Sequence, residues 1–387
     1  MTSRNSRSFD FAVIGAGVFG AWTAYFLRKS GASVALLDAY GPANSRASSG
    51  GESRIIRMGY GPDEIYTEWS LRALPLWKEL LAQAGRPELF VETGVLWIAP
   101  EADAYALATE RSLAKFSVLF EKLTLSDLQR RYPHFAFDDD AWALLEPRSG
   151  VLLARRAVQT VVECCARAGV EYFVESALPP ARAGNPVEIS TSSGSRISAS
   201  SFVFACGPWL GRLFPGVLGA RIFPSRQEVF FFGPPSGTSQ FQSPVTPTWL
   251  YLADEFYGMP DIEGRGFKLA HDRHGPPADP DSQLRVATTE AIEFAREFLG
   301  RRFPLLRDAP LLESRVCQYE NTSSGDFLID RHPAYENVWF VGGGSGHGFK
   351  HGPSVGEYVA KKLTQGGEFE PRFRLDSKSI VQHRSIH

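Results

Sequence analysis

Cysteine is scarce in this 387-residue sequence, which contains four, at Cys164, Cys165, Cys206 and Cys317. Their spacing matches neither a zinc site nor the dense disulfide framework of a small secreted domain. Two histidines, His271 and His274, are close in sequence, but no further candidate ligands accompany them. We therefore expect no bound metal ion and a reducing compartment, with the cytoplasm as the default location.

Long apolar runs and an excess of charge of one sign are also lacking. No apolar stretch reaches the roughly 18 residues that a membrane-spanning helix requires. The first ten residues carry arginines and serines with no apolar segment after them, and the final Ser385-Ile-His differs from the peroxisomal tripeptide. The formal net charge is −2, and the lysines and arginines are dispersed. The sequence therefore predicts neither a membrane nor a nucleic acid as a partner.

The N-terminal segment has the order strand, glycine turn and helix. An apolar run and then a helical pattern flank three glycines, Gly15, Gly17 and Gly20. The glycines permit a sharp turn, close approach of backbone amides to a pyrophosphate, and close packing of helix on strand. A second apolar run ends at Asp38, whose carboxylate can accept a hydrogen bond from a ribose 2′-hydroxyl. The segment favours FAD or NAD over NADP, with an ordinary βαβ turn as the alternative.

A second turn-and-helix unit lies near the C-terminus. A strand-like run at 338–341 precedes a glycine-rich turn at 342–350, and a helical pattern with a proline near its start follows. The amino end of such a helix can hold a negative or electron-rich group. A reduced isoalloxazine carries negative charge at one edge, which the helix dipole and Lys350 would both stabilise. The two units together favour FAD.

Short motifs follow one another from end to end of the chain, at 15–20, 48–57, 204–209, 225–227, 266–268, 317–319, 329–333 and 346–350. In this order they resemble the monomeric sarcosine oxidase family of FAD-dependent amine oxidases. That family also contains N-methyltryptophan oxidase and pipecolate oxidase, and it belongs to the D-amino-acid-oxidase-like superfamily. The motifs are specific for the family and much less specific for one substrate.

The resemblance implies FAD attached covalently through Cys317, which matches the family cysteine that forms a thioether with the flavin C8α methyl group. Such a link requires a nucleophilic thiolate. From the residues alone, Cys317 could instead be a small buried core residue. The residues implied to contact the cofactor are Gly15, Gly17, Gly20, Asp38, Ser48, Arg54, Gly207, Trp209, Cys317, Gly344, Gly346, His347, Gly348 and Lys350.

The resemblance also implies three catalytic residues. Lys268 matches the family lysine near flavin N5, whose charge assists the reaction of reduced flavin with oxygen. Without the resemblance, a lysine in a strand is more often a solvated side chain. Arg54 matches the arginine that lies over the flavin face, and Tyr319 matches an aromatic residue of the site.

For the substrate, the resemblance implies that Arg57 and Lys350 grip its carboxylate. The guanidinium offers a two-pronged donor and the ammonium a point charge, so the pair would fix an amino acid with its Cα beside flavin N5. Tyr257 and Tyr319 are implied to line the same site, although both could simply pack within a sheet.

Two positions depart from the sarcosine oxidase pattern. Asp272 stands where that enzyme has a histidine four residues after the lysine, and His271 precedes it. Gly50 replaces a second histidine, in the loop before the arginine. We interpret both as changes of residues that contact the substrate. An acidic group near the amine favours a cation-rich or larger substrate over sarcosine.

The length of the chain predicts two domains, because one hydrophobic core rarely exceeds about 250–300 residues. We expect an α/β, Rossmann-like FAD-binding domain and an α+β substrate domain with a mixed or antiparallel sheet. The FAD-binding domain is expected to be discontinuous, with residues 1–90, 149–214 and 315–387. The substrate-binding domain is expected to contain residues 91–148 and 215–314, with strands at 91–98 and 226–232.

The expected activity is oxidation of a secondary amino acid, N-methyl or cyclic, to an imine by a monomeric enzyme that reduces O2 to H2O2. Three alternatives stay open: an FAD dehydrogenase that uses a quinone or protein acceptor, a flavin-carrying subunit without turnover, and an NAD-dependent imine reductase. Lys268 argues against the first, and the carboxylate-gripping residues argue against the second. Cys317 and the C-terminal glycine turn have no use in the third.

Overall fold

The computed structural model describes residues 8–180 and 184–383, and these residues form both strands and helices. The strands are β1 (Ser8–Ile14), β2 (Val34–Asp38), β3 (Arg54–Ile56), β4 (Phe90–Val91), β5 (Val95–Pro100), β6 (Glu121–Leu123), β7 (Ala141–Glu146), β8 (Gly150–Leu152), β9 (Glu171–Val174), β10 (Glu188–Ser190), β11 (Arg196–Phe204), β12 (Phe223–Phe232), β13 (Thr248–Tyr251), β14 (Phe256–Met259), β15 (Phe267–His271), β16 (Leu311–Asn321), β17 (Leu328–Arg331) and β18 (Val338–Gly342). The α-helices are α1 (Val18–Lys29), α2 (Glu64–Gln83), α3 (Ala104–Lys115), α4 (Leu125–Arg131), α5 (Ala154–Arg167), α6 (Leu210–Leu213), α7 (Pro215–Leu218), α8 (Thr289–Arg302) and α9 (Gly352–Gln365).

A largely parallel sheet has the strand order β17-β18-β11-β1-β2-β9. The strands from β18 to β9 pair in parallel, while β17 and β10 join antiparallel. Helices α5 and α9 both contact α1, and their apolar faces bury Trp22 and Cys165. Strands covered by helices in this way are buried and apolar, as β1 and β2 are. The predicted Rossmann-like α/β architecture is confirmed.

A larger sheet has the order β16-β12-β15-β14-β13-β5-β7-β6. Its pairs are antiparallel except for β5 with β13. Trp249 in β13 stacks on Phe267 of β15 and on Phe298 of α8, at ring-centroid distances of 5.7 Å in both cases. Large aromatic side chains therefore dominate the packing of α8 on this sheet. The predicted mixed sheet of an α+β unit is confirmed.

The boundaries of the two predicted domains stay a prediction, but two differences in the strands are clear. β16 begins before residue 315 and pairs along its length with β12, so this segment joins the larger sheet. A small third sheet, β3-β8-β4, was not expected from the sequence. The expected strand at 91–98 is broken between β4 and β5, because Gly94 adopts a φ of +71°.

The carboxyl ends of the parallel strands position the candidate site. β1, β11 and β18 are neighbours, and they end at Ile14, Phe204 and Gly342. Because parallel strands end at the same edge, the turns that follow them meet there, which is where ligands of open α/β sheets bind.

In the part of the chain that the structure describes, no helix is both long and apolar enough to cross a bilayer.

Candidate active site

A cavity of about 440 Å³ opens at this edge. This volume lies within the range of about 300–1,000 Å³ that is usual for ligand pockets. Four turns supply much of its wall, and they follow β1, β2, β11 and β18. The predicted cofactor residues that line it are Gly15, Gly17, Asp38, Ser48, Arg54, Gly207, Trp209, Gly344, Gly346 and Gly348. Gly20, Cys317, His347 and Lys350 do not line it.

The glycines of the first turn are required by close packing. Gly15 has a φ of +105°, and a Cβ added there would lie 2.3 Å from Ala205 O. A Cβ on Gly20 would lie 1.8 Å from Gly15 O, so Gly20 lets α1 approach the turn rather than contacting a ligand itself. A Cβ on Gly17 would meet only Ser49 Oγ, at 3.4 Å, so this position is open toward the cavity. The turn thus leaves room for a phosphate group at the start of α1.

Asp38 closes the end of β2 beside this turn. Ala16 N donates a hydrogen bond to its Oδ2 at 2.8 Å, and Tyr40 N donates to Oδ1 at 2.9 Å. Burial raises the pKa of Asp38, and the backbone hydrogen bonds oppose that shift. Asn44 Nδ2 also lies 3.5 Å from Oδ1, so Oδ2 is the oxygen that can accept from a further donor, such as a ribose hydroxyl.

The C-terminal turn contributes its glycines and a helix end. Gly348 N donates to Gly344 O at 2.8 Å, and a short 3₁₀ turn at Phe349–His351 leads into α9. His347 points away from the cavity, because its Nε2 lies 3.0 Å from Gly325 O and its ring stacks on Phe327. The backbone of this turn, rather than the imidazole, therefore faces the cavity.

Arg54 joins the cavity wall to β16. Its Nη2 donates to Ser48 O at 2.9 Å and lies 3.2 Å from Cys317 Sγ, and its Nη1 donates to Ser53 O at 2.9 Å. Cys317 is half-buried, so it is not one of the inert core cysteines. The structure thus places Cys317 in contact with Arg54, a cation that lines the cavity.

Lys268 lies in β15 and is only 2% exposed, so it is not a solvated strand residue. Its Nζ donates to Ser53 O at 2.9 Å and to Ser53 Oγ at 3.1 Å. Burial, and then the neighbouring Arg54 guanidinium, hold the pKa of Lys268 well below its usual value. Lys268 and Arg54 therefore both donate hydrogen bonds to the carbonyl oxygen of Ser53.

Arg57 and Lys350 meet at Tyr60. The Arg57 guanidinium lies 4.5 Å from the ring centroids of both Tyr60 and Trp97. Lys350 Nζ donates to Tyr60 Oη at 2.6 Å and to His347 O at 3.0 Å. Burial, and then the charge of Arg57, hold the pKa of Lys350 well below its usual value. We call Arg57, Lys350, Tyr60 and Trp97 the cation cluster.

Glu146 supports the cation cluster and was missed by the sequence analysis. This carboxylate, 1% exposed at the end of β7, accepts hydrogen bonds from Met58 N, Gly59 N and Trp97 Nε1 at 2.7, 3.0 and 2.8 Å. Arg57 in turn donates to Gly59 O. Glu146 therefore fixes the loop that orients Arg57. A glutamate directly after the apolar run Ala141–Leu145 was the available signal.

Tyr257, Tyr319 and Asp272 come together as predicted residues of the substrate side. The two phenols are hydrogen-bonded to each other, and Tyr319 also lines the cavity. Burial raises the pKa of Tyr257 to about 12, which Arg54 opposes and Asp272 reinforces. Burial lowers the pKa of Arg57 and of Lys350, and Asp272 is among the groups that oppose this shift; the opposing groups together raise the pKa of Arg57, whereas that of Lys350 stays low. One carboxylate therefore acts on both tyrosines and both cations.

The two departures from the sarcosine oxidase pattern differ in their surroundings. His271 turns to Glu255, at 3.5 Å, and Glu255 pairs more closely with Arg273. Gly50 does not line the cavity, and a Cβ there would lie 1.9 Å from Asn44 O. A side chain at position 50 would therefore require a different course of the loop, and the interpretation of Gly50 as a lost substrate contact stays a prediction.

These residues fit an FAD. Open glycine turns and the start of α1 face one part of the cavity, the turn before α9 faces another, and Asp38 lies between the first turn and Tyr40. The family described as FAD dependent oxidoreductase matches residues 10–362. The chain belongs to this family, FAD is its cofactor, and it is an enzyme of the sarcosine oxidase-like class.

Relatives of known activity confirm the resemblance. Monomeric sarcosine oxidase from Bacillus sp. (strain B-0618) is 30% identical over 369 residues, which are 93% of each chain. Peroxisomal sarcosine oxidase from Mus musculus is 31% identical over 96% of this chain and 97% of its own. N-methyl-L-tryptophan oxidase from Salmonella heidelberg (strain SL476) is 30% identical over 91% and 94%, respectively.

Solved structures confirm the fold at lower identity. NikD, an amino acid oxidase of nikkomycin biosynthesis, superposes with a TM-score of 0.76 at 22% identity, over 98% of this chain and 100% of its own. L-proline dehydrogenase from P. horikoshii superposes with a TM-score of 0.81 at 19% identity, over 94% and 96%. At these identities the likeness concerns the fold.

Proposed function

We propose that the enzyme oxidises a secondary amino acid, N-methyl or cyclic, to the imine and reduces O2 to H2O2. The observation that carries this proposal is the cation cluster, in which two buried basic groups meet beside the FAD cavity. Burial of two basic groups side by side is costly even with Asp272 and Glu146 in their field, so the pair indicates an anionic ligand. The relatives named sarcosine oxidase and N-methyl-L-tryptophan oxidase support an N-methyl amino acid as the substrate.

The cation cluster would bind the carboxylate of the substrate. Arg57 is held by the Glu146-supported loop and by two aromatic faces, so its guanidinium is oriented before the substrate arrives. Lys350 has a lowered pKa because it is buried beside Arg57. A carboxylate bound between them would stabilise the ammonium form of Lys350 and thus strengthen the grip.

FAD, when bound, supplies the two-electron acceptor for the α carbon–nitrogen bond. We propose that the backbone of the turns at 15–17 and 344–348 holds it, with Ser48, Gly207 and Trp209 along the same cavity. Gly20 would act through packing, and His347 through its contacts with Gly325 and Phe327. Cys317, which lies against Arg54, is proposed to form the covalent link.

Lys268 is proposed to serve the reaction with oxygen. Negative charge develops on oxygen as it is reduced, and a fixed cation in a dry site stabilises that charge strongly. Lys268 donates hydrogen bonds to Ser53 O and Ser53 Oγ. These two neutral acceptors fix the position of its amino group. Arg54 adds a second positive charge on the cavity wall. Tyr319 would orient the substrate at the same wall.

Asp272 is proposed to select the substrate. It acts on Tyr257, Tyr319 and both cations of the cluster, so a substrate bound there lies within its field. A carboxylate in this place favours an amino acid with additional positive charge or a larger body over sarcosine. Steady-state kinetics that rank sarcosine above cyclic and long-chain secondary amino acids would overturn this selection.

Peroxide release across a panel of N-methyl and cyclic amino acids tests the main proposal. We expect peroxide and oxygen consumption in equal amounts with at least one member. Reduction of the flavin without oxygen consumption would instead show a dehydrogenase, and an absence of reduction by every member would leave a flavin carrier.

We further propose a monomer with two domains, an FAD-binding unit around the parallel sheet and a substrate unit around the larger sheet, working in the cytoplasm.

A further inference from the structure

Glu320 is a buried carboxyl group that none of the roles above uses. It follows Tyr319 in β16, is 6% exposed and lines the FAD cavity. The backbone amides of Gly343 and Gly344 lie near its carboxyl group and lower its pKa, against the larger effect of burial. Its Oε1 has no hydrogen-bond partner among residues 8–180 and 184–383. Since buried polar atoms are almost always paired, this oxygen indicates a partner that enters the cavity.

The packing around this carboxyl group is specific. A Cβ on Gly342 would lie 2.4 Å from Glu320 Oε1 and 2.5 Å from Leu210 Cδ1, so only glycine lets the carboxyl group reach the end of β18. Ser345 N donates to Glu320 O at 2.9 Å, which ties the C-terminal turn to β16. Glu320 is therefore held against the same turn whose Gly344 and Gly346 line the cavity.

The electrostatic surroundings favour the neutral acid. Burial raises the pKa of Glu320 to about 8, although the amides of Gly343 and Gly344 oppose this shift. One acidic group faces it, Cys206 from the turn after β11, and burial raises the pKa of this thiol. Arg54 and Arg212 also line the cavity, but neither is among the groups that shift this pKa. At neutral pH the carboxyl group is therefore protonated and can donate.

We propose that Glu320 is a cofactor-binding residue which, as the protonated acid, donates a hydrogen bond from its unpaired oxygen to an oxygen acceptor of FAD, and that its ionisation weakens FAD binding. The acceptor is a phosphate oxygen of FAD, which a carboxylate would repel. The inference depends on the FAD family and not on the substrate, so it can fail while the proposed reaction holds.

FAD dissociation constants at pH 6.5 and 9.5 test this inference, measured by flavin fluorescence in a Cys317→Ser background so that no covalent link hides dissociation. One unit of pKa shift on binding corresponds to tenfold in affinity, so we expect about tenfold or greater weakening at the higher pH. Glu320→Gln keeps a donor that does not ionise, and its change should stay below about threefold. Equal weakening in both proteins, or none in the parent, would overturn the proposal.

Two further measurements test the proposal if Glu320→Gln fails to fold, and they control for non-specific effects of pH. Glu175→Gln changes another glutamate that lines the cavity, and it should retain the full pH dependence of the parent. In the unaltered holoenzyme, the visible circular dichroism of the flavin should change as the pH rises through and beyond about 8. A flat titration between pH 6.5 and 9.5 would contradict a titrating group in contact with FAD.

Discussion

The FAD cavity and the cation cluster beside it are built in different ways. The cavity is shaped by backbone, and its key positions are glycines at which an added Cβ would collide with a carbonyl or fill the space for the ligand. The cation cluster is made of side chains from three distant segments, carried by residues 57–60, β5 and the turn before α9. Binding of the cofactor therefore depends on the shape of the backbone, and recognition of the substrate depends on the packing of side chains.

Gly20→Ala should give the largest effect, because it attacks the backbone shape of the cavity. A Cβ at this position would lie 1.8 Å from Gly15 O, which cannot move without displacing the turn. We expect protein that carries no flavin, measured as the ratio of visible to ultraviolet absorbance. Gly216→Ala is the matched control, since nothing lies within 4 Å of a Cβ there. Normal flavin content in the Gly20 variant would refute the account of the turn.

Lys268→Met should be next in size, and it separates the two half-reactions. Loss of a preorganised charge typically costs about 10²–10³-fold in rate. We expect reoxidation by O2 to slow by that factor, while anaerobic reduction by substrate slows much less, as followed by stopped-flow absorbance at the flavin band. Equal slowing of both steps would reject the role in the oxygen reaction.

Arg57→Met should weaken substrate recognition without loss of flavin. A hydrogen bond to a charged group contributes about 1.5–3 kcal/mol, which corresponds to about 10- to 100-fold in kcat/KM. Glu146→Gln should give a smaller loss in the same direction, because it loosens the loop that orients Arg57. Arg156→Met removes an exposed arginine paired with Glu263 and serves as the control. An unchanged kcat/KM for Arg57→Met would show that the carboxylate binds elsewhere.

Of these variants, Cys317→Ser should change binding least, but it should abolish the covalent attachment of FAD. We expect the wild-type chain to keep its flavin after denaturation, with the corresponding increase in intact mass, and the variant to release it. Cys164→Ser, which alters a half-buried cysteine of α5, should leave the attachment unchanged. Release of flavin from the denatured wild-type chain would contradict the proposed covalent link.

The FAD cavity and the cation cluster also differ in how they could be predicted from the sequence. The glycine turns and Asp38 were recognisable because their physical requirements are local and fall at fixed spacing. Arg57, Lys350, Tyr257, Tyr319 and Asp272 were assigned through the family resemblance, and the structure brings them together beside the cavity. Their roles stay proposals.

The rest could not be predicted because it depends on pairing between distant segments. Glu146 reaches the cation cluster only because β7 pairs with β5, which carries Trp97. The third sheet arises because β8 pairs with both β3 and β4. Gly50 resembled a substituted active-site position, but with this course of the loop the backbone of Asn44 leaves no room there for a side chain. Motif matching cannot detect this kind of steric restriction.

Anaerobic titration of the holoenzyme with an N-methyl amino acid and with its carboxamide tests the central claim most directly. The two compounds share the oxidisable amine and differ only in the group that the cation cluster would bind. The account predicts that the acid bleaches the flavin band in a panel of side chains, whereas the carboxamide does so at least about 10-fold less efficiently. Equal bleaching by both compounds, or by neither across the panel, would contradict it.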